Sequence, residues 1–279
     1  ICTKILQARG NMMIPMIAQV TGSVVNILLD IMLIFGIGHI PALGIMGAAI
    51  ATVIGQWVAM VITLLAVMKK YSLRGTCKPE FCKQIYANGI GSIVTQSLYT
   101  IYIVGLNMIL KIFTEDAVTV LGIYYKIQSF FFIPLLGFQQ VLLPLFSYHY
   151  GAGDRHRNRN ILKCAMTFSA AIMAVATGIF LLFPEKLVQI FSMESTILAI
   201  GKYAFPVISI SFVFAGLTIV ITSYLQGIAH IKSSLFIIVL RQIVLLIPLA
   251  WIFHFIGLNA VWWTFPVTEI IASMTGILI

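Results

Sequence analysis

"VVNILLDIMLIFGIG", residues 24–38, is an apolar run broken only by Asn26 and Asp30, and it poses the question of what keeps a carboxylate in a segment fit for lipid. The rest of the chain shares that character. Of its 279 residues 61% are hydrophobic and 9% charged, with mean hydropathy +1.06. A water-soluble domain of that composition would have to expose apolar surface, so the sequence belongs in a bilayer.

A spanning helix needs about 20 mostly apolar residues at a rise of about 1.5 Å each. Eight stretches meet this: 12–36, 42–68, 84–112, 117–149, 161–183, 195–226, 232–256 and 257–279. Several exceed the minimum, and Pro134, Pro144, Pro206 and Pro248 supply places to bend or tilt. Barrel strands would alternate apolar and polar residues, whereas these runs are continuous. The expected fold class is therefore an all-α membrane protein, a polytopic transmembrane helix bundle.

Charge fixes the orientation. When loops are assigned alternately to the two faces, one collects Lys4, Arg9, Lys69, Lys70, Arg74, Lys78, Lys83, Arg155, Arg157, Arg159, Lys163 and Lys232. The other has Lys111 and Lys186 beside Glu115, Asp116, Glu185 and Glu194. Cation-rich short loops stay in the cytoplasm, so the first span runs outward. The formal charge of +9 is then explained by anionic lipid headgroups, without a nucleic-acid partner. Cys2, Cys77, Cys82 and Cys164 fall in or near loops on the reducing side, where disulfides are not expected, and no His or second Cys pair completes a zinc site. His156, without an acidic or histidine partner in register, reads as a solvated loop residue. The chain opens on Ile1 rather than Met and is still apolar at Ile279, so part of a longer protein is expected.

The stretch beginning at Gly44, "GIMGAAIATVIGQWVAMVITLL", parallels "GLNAVWWTFPVTEIIASMTGIL" beginning at Gly257, with Gln56 opposite Glu269. This weak duplication divides the chain into 1–68, the end of an N-terminal lobe; 69–83, a basic cytoplasmic linker; and 84–279, a six-helix C-terminal lobe.

Gln19, Ser23, Asn26 and Asp30 follow at steps of four, three and four, which stacks them on one helix face. An ionised carboxylate there costs at least about 2.5–3.5 kcal/mol on insertion scales, so it needs a cation, a proton or a water-lined cavity. Asp30 is the first functional candidate, with a structural hydrogen-bond acceptor as the plainer reading. On the next span Ala48, Thr52 and Gln56 share a face, and Gly47, Ala51 and Gly55 form a small-residue strip that lets another backbone approach. Further along, Glu269, Arg241 and Lys126 sit deep in their spans, where a neutralising pair or triad would offset the cost of each alone. Gln96, Gln128 and Gln140, with Asn107 and Gln139, are candidates to line a polar cavity. Of the 12 Met and the aromatic residues, most are expected to face lipid or core rather than a drug pocket.

"NILLDIMLIF" at 26–35, "GIMGAAIATVIGQ" at 44–56, "QVLLPLFSYHYGAGDRHRNR" at 140–159 and "SYLQGIAHIKSSLFIIVLRQIVLLIPLAWIF" at 223–253 together resemble the multidrug and toxic compound extrusion (MATE) family, in its bacterial multidrug branch. The resemblance runs nearly end to end and would cover helices five to twelve of a twelve-helix, two-lobe transporter. It implies export of small organic, often cationic, compounds in exchange for H⁺ or Na⁺ by alternating access, from a monomer in the bacterial cytoplasmic membrane, with no cofactor beyond the coupling ion. It also implies that Asn26 and Asp30, helped by Thr52 and the Ala48 carbonyl, bind that ion; Asp30 and Asn26 would be the Na⁺ ligands were the coupling ion sodium. An essential aspartate on the family's first helix has no counterpart here, which leaves the coupling ion open. Gln96 stands where some members carry a Glu. A lipid or lipid-linked oligosaccharide flippase of the same superfamily is the alternative cargo reading. A membrane-embedded enzyme and a channel are disfavoured, since neither a catalytic cluster nor a selectivity-filter repeat is visible.

Overall fold

The computed structural model describes residues 1–8, 11–36, 41–70 and 79–279; for Ala8 it describes the backbone alone, and between 79 and 96 only the side chains of Tyr86 and Ile93. Residues 71–78 of the expected linker, Cys77 among them, lie outside the described residues, and from Pro79 the same stretch is already helix. The chain divides into two compact units, Ile1–Phe81 and Cys82–Ile279.

The first unit holds α1 (Cys2–Ala8), α2 (Met13–Phe35) and α3 (Ile45–Lys70). α2 begins where the Asn11 side chain accepts the Ile14 N–H at 3.2 Å, and it ends at Gly36, whose φ of 72° suits a residue without Cβ. α2 and α3 pack through small residues. A Cβ on Gly22 would lie 2.6 Å from the Gly55 carbonyl oxygen, and one on Gly47 would lie 2.5 Å from the Leu33 oxygen. The buried strip of α3 is Gly47, Ala51 and Gly55, with Thr63 and Val67 beyond it. Backbones that close gain dispersion contacts that lipid cannot match, which is how helices adhere in a membrane. Outward, α2 presents Val20, Val24, Ile27, Leu28 and Ile31, apolar side chains suited to lipid.

The second unit runs α4 (Pro79–Lys111), α5 (Glu115–Gly151), α6 (Arg155–Leu182), α7 (Pro184–Gln189), α8 (Ser195–Ser209), α9 (Ser211–Gly227), α10 (Ile231–Val239), a wide π turn (Leu240–Leu245), α11 (Leu246–His254), α12 (Leu258–Val261) and α13 (Thr264–Leu278). Its turns are written in the sequence: Thr114 accepts the Ala117 N–H at 3.2 Å to start α5, and Asp154 accepts the Arg157 N–H at 2.9 Å to start α6. The core is aromatic. Tyr124 is buried among the rings of Phe180, Phe205, Phe212 and Phe265, and Trp262 is fully enclosed. Intramembrane hydroxyls fold back onto their own helix; Thr218 donates to the Phe214 oxygen and Thr222 to the Thr218 oxygen, both at 2.9 Å.

Among the described residues, six helices are long and apolar enough to cross a membrane: Met13–Phe35, Ile45–Lys70, Glu115–Gly151, Arg155–Leu182, Ile231–His254 and Leu258–Leu278. The expected span 195–226 is a broken one, Ser195–Ser209 and Ser211–Gly227 bent by 43°. The bend is held in part by Thr177, which donates to the Ser209 oxygen at 3.0 Å. In α4 the apolar portion with described side chains, Ser97–Lys111, is shorter than a span.

Candidate functional site

In the first unit three of the predicted residues meet. Asn26 Nδ2 on α2 donates to Thr52 Oγ1 on α3 at 3.4 Å, and Thr52 Oγ1 donates to the Ala48 carbonyl oxygen at 2.9 Å. The close approach at Gly22 and Gly55 brings these helices within side-chain reach, so the small-residue strip and the polar bridge have one cause. Asp30 stands one turn beyond Asn26 on the same face of α2. Its Oδ1 is shielded from solvent and has no hydrogen-bond partner among the described residues. The Asn26 side-chain oxygen, Thr52 Oγ1 and the Ala48 carbonyl add oxygens of the kind a small hard cation accepts. Among the described residues no group of three or more His, Cys, Asp or Glu could hold a metal, so any ion here would be held by this mixed oxygen set.

Beside the bridge lies a groove of about 630 Å³ within the first unit. Gln19, Ser23 and Asn26 from α2, with Thr52 and Gln56 from α3, make its polar side, and Ala18, Gly22 and Ala59 keep its floor low. The stripe read from four-three-four spacing thus borders an open groove, with Asp30 outside its lining.

In the second unit Arg241 and Glu269 meet: Arg241 Nε donates to Glu269 Oε1 at 2.7 Å. Lys126 does not join them. Its ammonium lies 5.7 Å from the centre of the Phe191 ring, beyond the end of α7, because a long flexible cation gains more from an aromatic face near the helix end than from a crowded core. Gln128 is half-buried and Gln140 exposed, and neither makes a hydrogen bond among the described residues. Twelve positions of α5 separate them, about 18 Å of helix, so they do not share one site with each other. The Gln96 side chain lies outside the described residues. The π turn that carries Arg241 has no signature that hydropathy could reveal.

Paired spans with a polar bridge and an unsatisfied carboxylate are the makings of a membrane transporter, and the comparisons with known proteins agree. Residues 91–252 match the MatE family model. The chain belongs to the MatE family, whose members are transporters and not enzymes. It is 25% identical over 277 residues to the multidrug export protein MepA of Staphylococcus saprophyticus, covering 97% of this chain and 60% of that protein. It is 24% identical over 265 residues to the probable multidrug resistance protein NorM of Thermotoga maritima, covering 92% of this chain and 57% of that one. The chain therefore spans about three fifths of these relatives. In fold it is similar to a MOP superfamily transporter from Pyrococcus furiosus (TM-score 0.88, 23% identity) and to the Vibrio cholerae MATE transporter VcmN (TM-score 0.87, 22% identity). Each superposition covers 99% of this chain and 64% of the other.

Proposed function

We propose that the chain is the ion-coupled part of a secondary active multidrug antiporter, which expels small organic, often cationic, compounds across the bacterial cytoplasmic membrane in exchange for H⁺ or Na⁺. The observation that carries this is Asp30 Oδ1, a shielded carboxylate oxygen without a partner, next to the Asn26–Thr52–Ala48 bridge. A buried ionised carboxylate left so is costly, and a proton or a sodium ion relieves that cost. Asn26, Thr52 and the Ala48 carbonyl position the helices so that the ion, when bound, finds oxygen donors within one turn of each other. The export roles in the names of the MepA and NorM relatives support the cargo class. A bound ion shifts alternating access only by its differential affinity for the two states, and a carboxylate shielded in one and hydrated in the other supplies that difference. The protein works as a monomer surrounded by membrane lipid, with no cofactor and no nucleic-acid partner.

The test uses the full-length protein in vesicles energised by a pH or a Na⁺ gradient, with ethidium as the cargo. Asp30→Asn inserts normally and loses gradient-driven efflux. Efflux equal to that of the unmodified protein removes Asp30 from the mechanism, and scrambling of a labelled lipid precursor without efflux replaces the antiporter by a flippase.

A further inference from the structure

Of the eight acidic residues in the chain, Glu80, Glu115, Asp116, Asp154, Glu185 and Glu194 stand at or just before the first turn of a helix, where the N-terminus favours negative charge. Asp30 and Glu269 alone stand well inside helices. Glu269 is 6% exposed and lies five positions into α13, among the apolar side chains of the second unit. Its Oε1 accepts from Arg241 Nε, while its Oε2 is buried and has no hydrogen-bond partner among the described residues. A charged group in a low-dielectric core needs its lone pairs met, so a carboxylate bonded on one oxygen and dry on the other is half satisfied.

The arginine is held in an unusual backbone. It is the second residue of the π turn Leu240–Leu245, which closes with the Leu246 N–H donating to the Arg241 carbonyl oxygen. Wide turns of this kind are uncommon inside helices and gather at functional positions. The two partners are also unequally placed, with the Arg241 side chain 26% exposed and that of Glu269 8%. The guanidinium is therefore the less enclosed of the two when the carboxyl is neutral. The other groups that face the carboxyl are the phenols of Tyr102 on α4 and Tyr124 on α5, both without charge. Helices α8 to α11, packed against α13, bring no charged side chain other than Arg241 against Glu269 among the described residues.

We propose that Glu269 is a proton-binding site of the second unit, separate from Asp30, whose occupied state is a neutral carboxyl protonated on Oε2 and still held by Arg241 through Oε1. A hydronium ion gives its proton to Oε2 and departs as water; no other bond breaks, and the net charge of the pair rises from zero to +1. Neutralising Glu269 leaves the charge of Arg241, in the wide turn, uncompensated, so occupancy of the site is felt by the helix 231–254 that contains it. The site stands on this geometry alone and does not require that Asp30 couples ions.

Difference infrared spectroscopy tests this on the full-length protein in lipid bilayers, titrated between the acid and alkaline limits at which it stays folded. Acidification raises a protonated-carboxyl band in the unmodified protein and in Asp30→Asn, and Glu269→Gln loses that band. Arg241→Lys keeps the positive charge and moves the midpoint at which the band rises, and it stands in where Glu269→Gln fails to fold. Spectra of Glu269→Gln that superimpose on those of the unmodified protein at every pH overturn the proposal, as does an unmoved midpoint in Arg241→Lys.

Discussion

Adding one methyl group at Gly55 tests whether the α2–α3 contact positions the candidate site. A Cβ there would lie 2.7 Å from the Gly22 carbonyl oxygen and 2.9 Å from Asn26 Cβ. Neither neighbour can rotate away, since one is backbone and the other is the first atom of its side chain. Ordinary contact begins near 3.4 Å, so the helices must separate by about 0.7 Å. The Asn26–Thr52 hydrogen bond is already 3.4 Å long, and such a displacement takes it beyond bonding range. Overpacking of this kind costs about 1–3 kcal/mol, and the lost interhelical bond adds about 0.6 kcal/mol. The better helix propensity of alanine returns at most about 1 kcal/mol, so destabilisation wins. Reversible unfolding of the full-length protein in bilayers measures the difference, with ethidium efflux as a second readout. Gly178→Ala is the control, since a Cβ there meets nothing within 4 Å. If Gly55→Ala is as stable as Gly178→Ala and pumps normally, the backbone contact does not position Asn26 and Thr52.

Thr52→Val removes both the acceptor for Asn26 and the bond to the Ala48 oxygen; it costs about 0.5–1.5 kcal/mol in the same unfolding assay and weakens coupling-ion binding in calorimetry. Arg241→Met leaves the Glu269 charge buried and unpaired, at about 3–5 kcal/mol, while the joint replacement Arg241→Met with Glu269→Leu recovers most of that loss. Thermal melts of the three proteins decide this, and a double variant no more stable than the single one contradicts it. Phe180→Ala empties the centre of the aromatic core and lowers stability by about 3–5 kcal/mol in denaturant titration.

The span pattern was legible because a helix in lipid must be apolar over its whole length, a property that a window of residues preserves. Spacing placed Asn26 and Thr52 each on a polar stripe of its own helix and the resemblance brought the two together; the structure joins them because Gly22 and Gly55 let the backbones touch. The pairing of Arg241 with Glu269 followed from the cost of lone charges. Lys126 joined neither partner and instead reaches the Phe191 ring beyond the end of α7, a tertiary contact that depth along a span cannot reveal. The π turn at Leu240–Leu245 leaves composition unchanged and was illegible, whereas the 43° bend near Ile210 falls four residues past Pro206, one of the prolines read as a place to bend. The 69–83 stretch read as linker because the weak duplication placed it between the lobes; helix resumes at Pro79, a residue that suits a first helical turn.

The central claim is that the carboxylate of Asp30 takes up and releases the coupling ion. Ion binding to purified full-length protein, measured as ²²Na⁺ uptake and as proton release on adding substrate, addresses it without depending on transport. The unmodified protein gains one bound ion, and Asp30→Asn does not. Equal ion binding by the two proteins would contradict the account.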